Sequence, residues 1–225
     1  AIQTPGFDRV GVMDLESFVH PAHRVRAREL LPQQLSSISQ VMPVLVRINA
    51  SDAEADLRAA VLPGIAGILC SVESPGQVHR LDGILARLEA ERGAPRGAVG
   101  IAACIQSPGA LWFAREIASA SRRVNALVLA IGDLAFDTLK TPEAMPYVTG
   151  PVPRFPVPEY IWSRTACVAA AAGVGLLGLL GTTIAPGHAN LEALSEAARL
   201  ARQVGFSGAV TTHREGVAAC QRWFG

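Results

Sequence analysis

Residues Val124–Asp137 read VNALVLAIGDLAFD and give the clearest indication of the fold. Within them, the short apolar run Ala126–Ile131 lies between polar residues upstream and Gly132-Asp133 downstream, a pattern typical of a strand buried on both faces of a parallel sheet. Asp133 stands where the predicted strand ends. Because α/β folds bind ligands at the carboxyl ends of their parallel strands, Asp133 is the first candidate functional residue.

The same apolar pattern recurs along the chain and alternates with segments of helical composition. Right-handed crossovers between such strands make the sheet parallel and place the helices outside it. We therefore predict an α/β fold of the TIM-type (β/α)8 barrel class, with residues 1–225 forming a single domain. The predicted strands lie at about residues 9–13, 44–48, 67–72, 99–105, 126–131, 176–183 and 209–212.

The most regular helical pattern lies in Pro75–Glu91, where apolar residues starting at Leu81 recur at the i, i+3, i+4, i+7 spacing of one buried face. Arg24–Leu31 also has helical composition, and we expect Pro32 to interrupt or restart that helix. The other predicted helices are Asp52–Val61, Leu111–Ala120, Glu159–Ala172, Asn190–Val204 and Glu215–Phe224.

A closed barrel of this class needs eight strands, and the sequence predicts seven. The first strand is the one that is missing, because the chain opens on a strand at 9–13. Without it, the strands at 9–13 and 209–212 would each expose an unpaired edge. We expect a neighbouring subunit, residues 1–8 or an N-terminal segment outside this sequence to fill the gap, and we favour the last.

Composition excludes several classes of function. Half of the residues are hydrophobic and the net charge is +1 with no basic block, which argues against nucleic acid as a partner. Thr165–Gly187 contains no charged residue, but its alanine-rich first half and the glycines at 173 and 175 favour a buried helix and strand over a membrane span. The four cysteines form no paired motif, so we expect reduced thiols in a cytoplasmic protein. Residues 137–158 hold six prolines and are interpreted as a lid.

Short motifs follow the predicted strands in a fixed order from about residue 10 onward. They are DLESFVHP (14–21) with Ala27-Arg28, VRIN (46–49), VES (72–74), IQSPG (105–109), GDL (132–134) and GFSG (205–208) with His213. Taken together, the set resembles the citrate lyase beta-subunit and malyl-CoA lyase family of the HpcH/HpaI aldolase superfamily. The resemblance implies a TIM barrel that cleaves or forms a carbon–carbon bond in a 3-hydroxyacyl-CoA of the citryl-, malyl- or citramalyl-CoA type, using Mg²⁺.

For the site, the resemblance implies that Asp133 and the position of Gln106 hold the metal ion and that Arg47 holds the substrate oxygen or carboxylate. Cleavage develops an enolate oxygen, whose negative charge a hard cation such as Mg²⁺ stabilises. Arginine binds carboxylates through two hydrogen bonds and keeps its charge. The partner is expected to be an acyl-CoA or a small carboxylic acid, and the protein a homo-oligomer (trimer or hexamer). The remaining candidates are Asp14 and Glu16 for catalysis and Glu73, Ser107 and Pro108 for substrate binding.

The sequence departs from the family pattern at five polar positions. The family's metal-binding Glu is Gln106 here, and because an amide oxygen carries no charge, we expect weaker Mg²⁺ binding. The alternative interpretation is a catalytically impaired paralogue that serves as a binding or assembly subunit. The other four departures are Ser17 for the second acid of DLED, Ser71 for the lysine of KVES, Ala209 for the lysine of GK and Arg214 for the proline of HP.

Each candidate also has a plain structural interpretation. Arg47 could be the ion-pair partner of Asp14 or Glu16. The other structural interpretations are a helix N-cap for Asp133, a charge favoured by a helix N-terminus for Glu73, a hydrogen-bonded structural histidine for His213 and a satisfied polar group for Gln106.

Overall fold

The computed structural model describes residues 9–130, 170, 173–180, 191–203, 205–211 and 214–225. Four predictions fall outside these residues: the role of Asp133, the role of His213, the lid at 137–158 and, apart from Ala170, the helix Glu159–Ala172.

Seven parallel strands form one sheet in strict chain order, which confirms the predicted parallel α/β sheet. All seven predicted strands are present, with ends that differ by no more than a few residues. The strands are β1 (Gly11–Asp14), β2 (Val44–Ile48), β3 (Ile65–Ser71), β4 (Gly100–Ile105), β5 (Val124–Ala130), β6 (Gly175–Leu180) and β7 (Gly208–Thr211).

In the described part of the chain, helices follow six of the seven strands, all except β5, as the alternating pattern predicts. A short 3-10 helix at Pro21–His23 precedes the first of them. The helices are α1 (Arg24–Ile38), α2 (Ala53–Ala60), α3 (Pro75–Glu91), α4 (Pro108–Trp112), α5 (Ala114–Ser119), α6 (Leu191–Gln203) and α7 (Arg214–Phe224).

Helix α1 does not stop at its proline. Pro32 lies inside the helix, which continues to Ile38, so the prediction that Pro32 interrupts it is wrong. Proline removes one hydrogen bond of the helical ladder. Leu31 and Leu35 on either side of it are 2% and 0% exposed, and burial of these two side chains holds the helix together across the defect.

The predicted helix Leu111–Ala120 is in fact two helices, α4 and α5, that meet at Phe113. Helix α4 begins earlier than predicted because Ser107 caps it: the Ser107 hydroxyl oxygen accepts the amide N–H of Ala110 at 3.0 Å. Pro108 takes the first helical position, where its missing N–H costs nothing. The Ser-Pro pair was the sequence signal for this start.

The two faces of the sheet bury different side chains. The outer face packs larger residues such as Ile68 and Ile101 against the helices. The inner face is lined by smaller apolar side chains. The polar side chains of this face lie at the carboxyl ends of the strands. The buried inner residues are Leu45, Leu69, Ala102, Cys104, Ala126, Val128 and Ala130.

A buried ion pair ties α3 to the start of β5 at the opposite end of the sheet. Arg123 and Glu89 are joined by two hydrogen bonds of 2.6 and 2.7 Å, with side chains 4% and 0% exposed. The carboxylate of Glu89 also accepts the amide N–H groups of Gly97 and Val99, both at 2.9 Å. Burial alone would raise the pKa of Glu89, but Arg123 and the two amides lower it overall, so Glu89 stays ionised.

The described sheet has two edge strands, β1 and β7, and each pairs with a single described neighbour. Among the described residues there are seven strands, one fewer than a closed barrel of this class contains. Within the same residues, no helix combines the length and the apolar character needed to cross a membrane.

Candidate functional site at the carboxyl ends of the strands

Arg47 is the centre of a cluster of charges at the carboxyl ends of β1 and β2. The parallel register places Asp14 beside Arg47, and the amide N–H of Leu15 donates to the carbonyl of Arg47 at 2.9 Å. The Nε of Arg47 donates to Oε2 of Glu16 at 2.6 Å. Its Nη1 lies 3.7 Å from Oδ2 of Asp14, which is an ion pair but too long for a hydrogen bond.

The turn after β1 brings Glu16 to Arg47. Oδ1 of Asp14 accepts the amide N–H groups of Glu16 and Ser17, at 2.6 and 2.8 Å. An aspartate that bonds the backbone two and three residues ahead folds the chain back on itself. Asp14 therefore shapes the loop with one oxygen and faces Arg47 with the other.

This charged cluster is well shielded from water. The side chains of Arg47, Asp14 and Glu16 are 9%, 14% and 19% exposed. Burial raises the pKa of Glu16 above its ordinary value, with Asp14 adding to the rise and Arg47 opposing it. Burial alone would lower the pKa of Arg47, but nearby Glu16, Cys104 and Asp14 raise it overall, so Arg47 keeps its charge.

A second polar pair joins the next two strands. Ser71 ends β3 and Gln106 follows β4, and the Ser71 hydroxyl donates to Oε1 of Gln106 at 2.9 Å. Ser71 is 7% exposed and Gln106 is half-buried, so the bond lies partly shielded at the carboxyl ends of the strands. The register that sets Ser71 opposite Cys104 puts Gln106 two residues further along the same inward face.

The loops after β3 and β4 are connected by a third contact. The hydroxyl of Ser107 donates to Oε2 of Glu73, and the same hydroxyl oxygen caps α4. The amide N–H of Glu73 donates to Oε1 of Gln77 at 2.5 Å. Glu73 and Pro108 are both exposed, so these two candidate substrate contacts lie at the rim.

One group of residues near the site escaped the sequence analysis. Asp56 on α2 is fully buried, and its two oxygens accept the Nε of Arg28 at 2.6 Å and the amide N–H of Asn49 at 2.8 Å. Arg28 reaches Asp52 as well, at 3.1 Å. The group fixes the loop that leaves Arg47. Arg28 and Asn49 belong to the quoted motifs, whereas Asp56 has the sequence context of an ordinary helix residue.

The described residues fit a magnesium ion poorly. Among them, no group of three or more His, Cys, Asp and Glu side chains is placed to hold a metal ion. Gln106 offers a neutral oxygen that already accepts the Ser71 hydroxyl, and Asp14 and Glu16 face Arg47. Asp133, the other predicted ligand, lies outside the described residues. We therefore derive no reaction step through a metal ion.

The fold and the cluster around Arg47 define a parallel α/β protein with a polar site at the carboxyl ends of its strands. The family model for HpcH/HpaI aldolase/citrate lyase matches residues 1–214, and the chain belongs to this family. The predicted resemblance is thereby confirmed.

Among curated proteins, the citrate lyase beta subunit of Leuconostoc mesenteroides subsp. cremoris is 29% identical over 202 residues, which are 88% of this chain and 63% of the relative. The chain spans less than two thirds of the length of this protein and of its counterparts in Haemophilus influenzae and Escherichia coli.

Solved structures share the fold. A citrate lyase from Burkholderia xenovorans superposes with a TM-score of 0.75 at 18% identity, covering 95% of this chain and 68% of the other. The citrate lyase beta subunit of Mycobacterium tuberculosis, complexed with oxaloacetate and magnesium, gives a TM-score of 0.67 at 22% identity, covering 96% and 86%. The parallel sheet is thus that of the TIM-barrel-type proteins of this family, which confirms the predicted fold class.

Proposed function

We propose that this chain is a carbon–carbon lyase of the citrate lyase beta type that acts on a 3-hydroxyacyl-CoA, with citryl-, malyl- and citramalyl-CoA as the candidate substrates. The observation that carries the proposal is Arg47, a buried cation at the carboxyl end of β2 whose terminal nitrogens are not taken up by hydrogen bonds to Asp14 or Glu16. Such a group is suited to the carboxylate that each of these thioesters bears on the carbon being released.

The proposed reaction follows from the bonds that must change. In the cleavage direction a base removes the proton of the 3-hydroxyl group, and the bond between C2 and C3 breaks. Its electron pair enters the thioester carbonyl as an enolate, and C3 leaves as the carbonyl carbon of oxaloacetate, glyoxylate or pyruvate. Protonation of C2 then gives acetyl-CoA. The base must lie within hydrogen-bond reach of the 3-hydroxyl.

Arg47 would hold the carboxylate next to C3 and so fix the orientation of the bond that breaks. Asp14 and Glu16 are the carboxylates that contact Arg47, and we assign them to proton transfer. The raised pKa of Glu16 suits this task, because a general base works best when its pKa approaches the working pH. Glu73, Ser107 and Pro108 would line the rim where the thioester enters.

Magnesium enters the proposal as a weakly held ion. The M. tuberculosis relative was solved with magnesium and, separately, with magnesium and pyruvate. The family resemblance points to Gln106 and Asp133 as the ligands, and Oε1 of Gln106 would have to give up the Ser71 hydroxyl to reach the ion. A bound Mg²⁺ would supply positive charge that stabilises the enolate. Because Gln106 brings no charge, we expect an affinity below that of a site with two carboxylates.

The rest of the proposal concerns the whole protein. We propose that residues 1–225 form a single α/β-barrel domain, that the protein acts in the cytoplasm and that it assembles as a homo-oligomer (trimer or hexamer). The support for these statements is membership of the family, and the chain covers less than two thirds of the length of its curated relatives.

A second candidate is a catalytically impaired paralogue that binds a carboxylate or an assembly partner. The neutral pair of Ser71 and Gln106 favours it, since neither side chain adds charge to the site. Purified protein incubated with each of the three thioesters in buffer with Mg²⁺ separates the candidates. Release of acetyl-CoA from one of them above the uncatalysed rate supports the lyase. Carboxylate binding without turnover of any of the three supports the paralogue.

A further inference from the structure

We propose that Ser71 is a positioning residue that turns the amide of Gln106 so that its nitrogen, rather than its oxygen, is available to the substrate. The inference deepens the proposed function, because it assigns a second group that recognises the oxygens of a carboxylate substrate. It begins from the hydrogen bond in which the Ser71 hydroxyl donates to Oε1 of Gln106 at 2.9 Å.

The first step concerns the amide itself. A glutamine side chain has one oxygen acceptor and two N–H donors on opposite sides of a planar group. Once Oε1 of Gln106 faces Ser71, Nε2 points away from β3. Within the described part of the chain, Nε2 has no hydrogen-bond acceptor, and it is not fully buried. Two N–H donors are therefore available at the mouth of the sheet.

The second step concerns the neighbouring cation. Glu16 takes the Nε–H of Arg47, and Asp14 is 3.7 Å from Nη1, so neither carboxylate forms a hydrogen bond with the terminal nitrogens. Arg47 is level with Leu69 in the register, and Ser71 lies two residues further along β3. Strand spacing puts the Cα atoms of Arg47 and Ser71 about 8 Å apart.

Together, Arg47 on β2 and Gln106 after β4 form a pair of N–H donor groups on either side of β3, one charged and one neutral. Such a pair recognises the oxygens of an anionic ligand, and a small 2-oxo acid such as oxaloacetate offers both carboxylate and carbonyl oxygens. Ser71 decides whether the neutral member of the pair presents donors or an acceptor. The same orientation gives Gln106 little use as a cation ligand.

The first experiment measures oxaloacetate binding by calorimetry in metal-free buffer. We expect Ser71→Ala to weaken binding about tenfold, the loss of roughly one hydrogen bond, and Ser71→Thr, which keeps the hydroxyl, to restore it. Gln106→Glu should weaken binding at least as much, because it replaces donors with a negative charge. The matched control is Ser119→Ala, which removes an exposed hydroxyl that bonds the carbonyl of Arg115 on α5.

The second experiment needs no ligand. The side-chain NH₂ signals of Gln106, assigned by their loss in Gln106→Glu, should be shifted in the wild type and in Ser71→Thr, because the hydrogen bond to Oε1 polarises the amide. They should return to ordinary glutamine values in Ser71→Ala. This readout holds whether or not any thioester is cleaved, so failure of the proposed lyase activity would leave it unchanged. Identical Gln106 signals in the wild type and Ser71→Ala, or equal oxaloacetate affinity in the two proteins, would overturn the proposal.

Discussion

Replacing Glu16 with glutamine tests how Arg47 is held in the protein without substrate. The glutamine side chain can still accept the Nε–H of Arg47, but it carries no charge. A substrate carboxylate on the far side of the guanidinium would lie about 7 Å from the Glu16 carboxylate, and two like charges at that distance repel by about 2 kcal/mol at an effective dielectric of about 20. The side chain of Glu16 is 19% exposed, so solvent reduces this repulsion. We expect Glu16→Gln to bind oxaloacetate about tenfold more tightly, or about 1.4 kcal/mol.

The pH dependence follows from the raised pKa of Glu16. Its folded-state pKa lies above the unfolded value, so ionised Glu16 reduces stability above the folded pKa, and this cost disappears as the pH falls through that value. Glu16→Gln should thus be as stable as the wild type or more so at pH 8. Its gain in affinity should shrink as the pH falls, because the wild-type carboxyl becomes neutral as well.

Calorimetry of oxaloacetate binding at pH 8 and at successively lower pH measures the change in affinity. Thermal melts of the same samples measure the change in stability. Glu29→Gln is the control, since Glu29 forms an exposed ion pair with Arg26 on α1. Weaker binding by Glu16→Gln at pH 8 would contradict this prediction, because it would show that the charge of Glu16 helps Arg47 to bind the ligand and does not compete with it.

Three further predictions concern other parts of the structure. Gln106→Glu should raise Mg²⁺ affinity measured by calorimetry, since the added charge attracts the ion by a few kcal/mol at an effective dielectric of ~20, and an unchanged affinity would show that position 106 lies outside the metal site. Arg123→Met should lower the free energy of unfolding in urea by about 3–5 kcal/mol, because it leaves buried Glu89 without its partner, whereas a loss below about 1 kcal/mol would show that the pair contributes little. Ser107→Ala should cost about 1 kcal/mol in the same assay, because the amide of Ala110 loses its cap; equal stability would mean that α4 begins without it.

The strands could be predicted from the sequence because parallel strands buried on both faces read as continuous apolar runs. Val44–Ile48 and Pro75–Glu91 were predicted with the ends that the structure shows. The helix ends that were predicted wrongly depend on tertiary contacts. Burial of Leu31 and Leu35 carries α1 past Pro32, a fact that local propensity does not contain.

The site was predictable in part. The ion pair of Arg47 with Asp14 and Glu16 was foreseen as one interpretation of Arg47, because strands adjacent in a parallel sheet end side by side. The hydrogen bond between Ser71 and Gln106 was not foreseen, since it depends on the register of strands whose residues are 35 positions apart. Asp56 was missed because a buried aspartate on a helix has the same local pattern as an exposed one.

Cleavage of the preferred thioester by the wild type, Arg47→Lys and Arg58→Lys tests whether Arg47 holds the substrate. Arg58 lies in an exposed ion pair on α2, so its variant controls for loss of a guanidinium elsewhere. We expect Arg47→Lys to lose at least about a hundredfold in kcat/KM while Arg58→Lys keeps the wild-type value, because lysine cannot reproduce the paired donors of a guanidinium. Equal kcat/KM in all three proteins would contradict the claim that Arg47 holds the substrate.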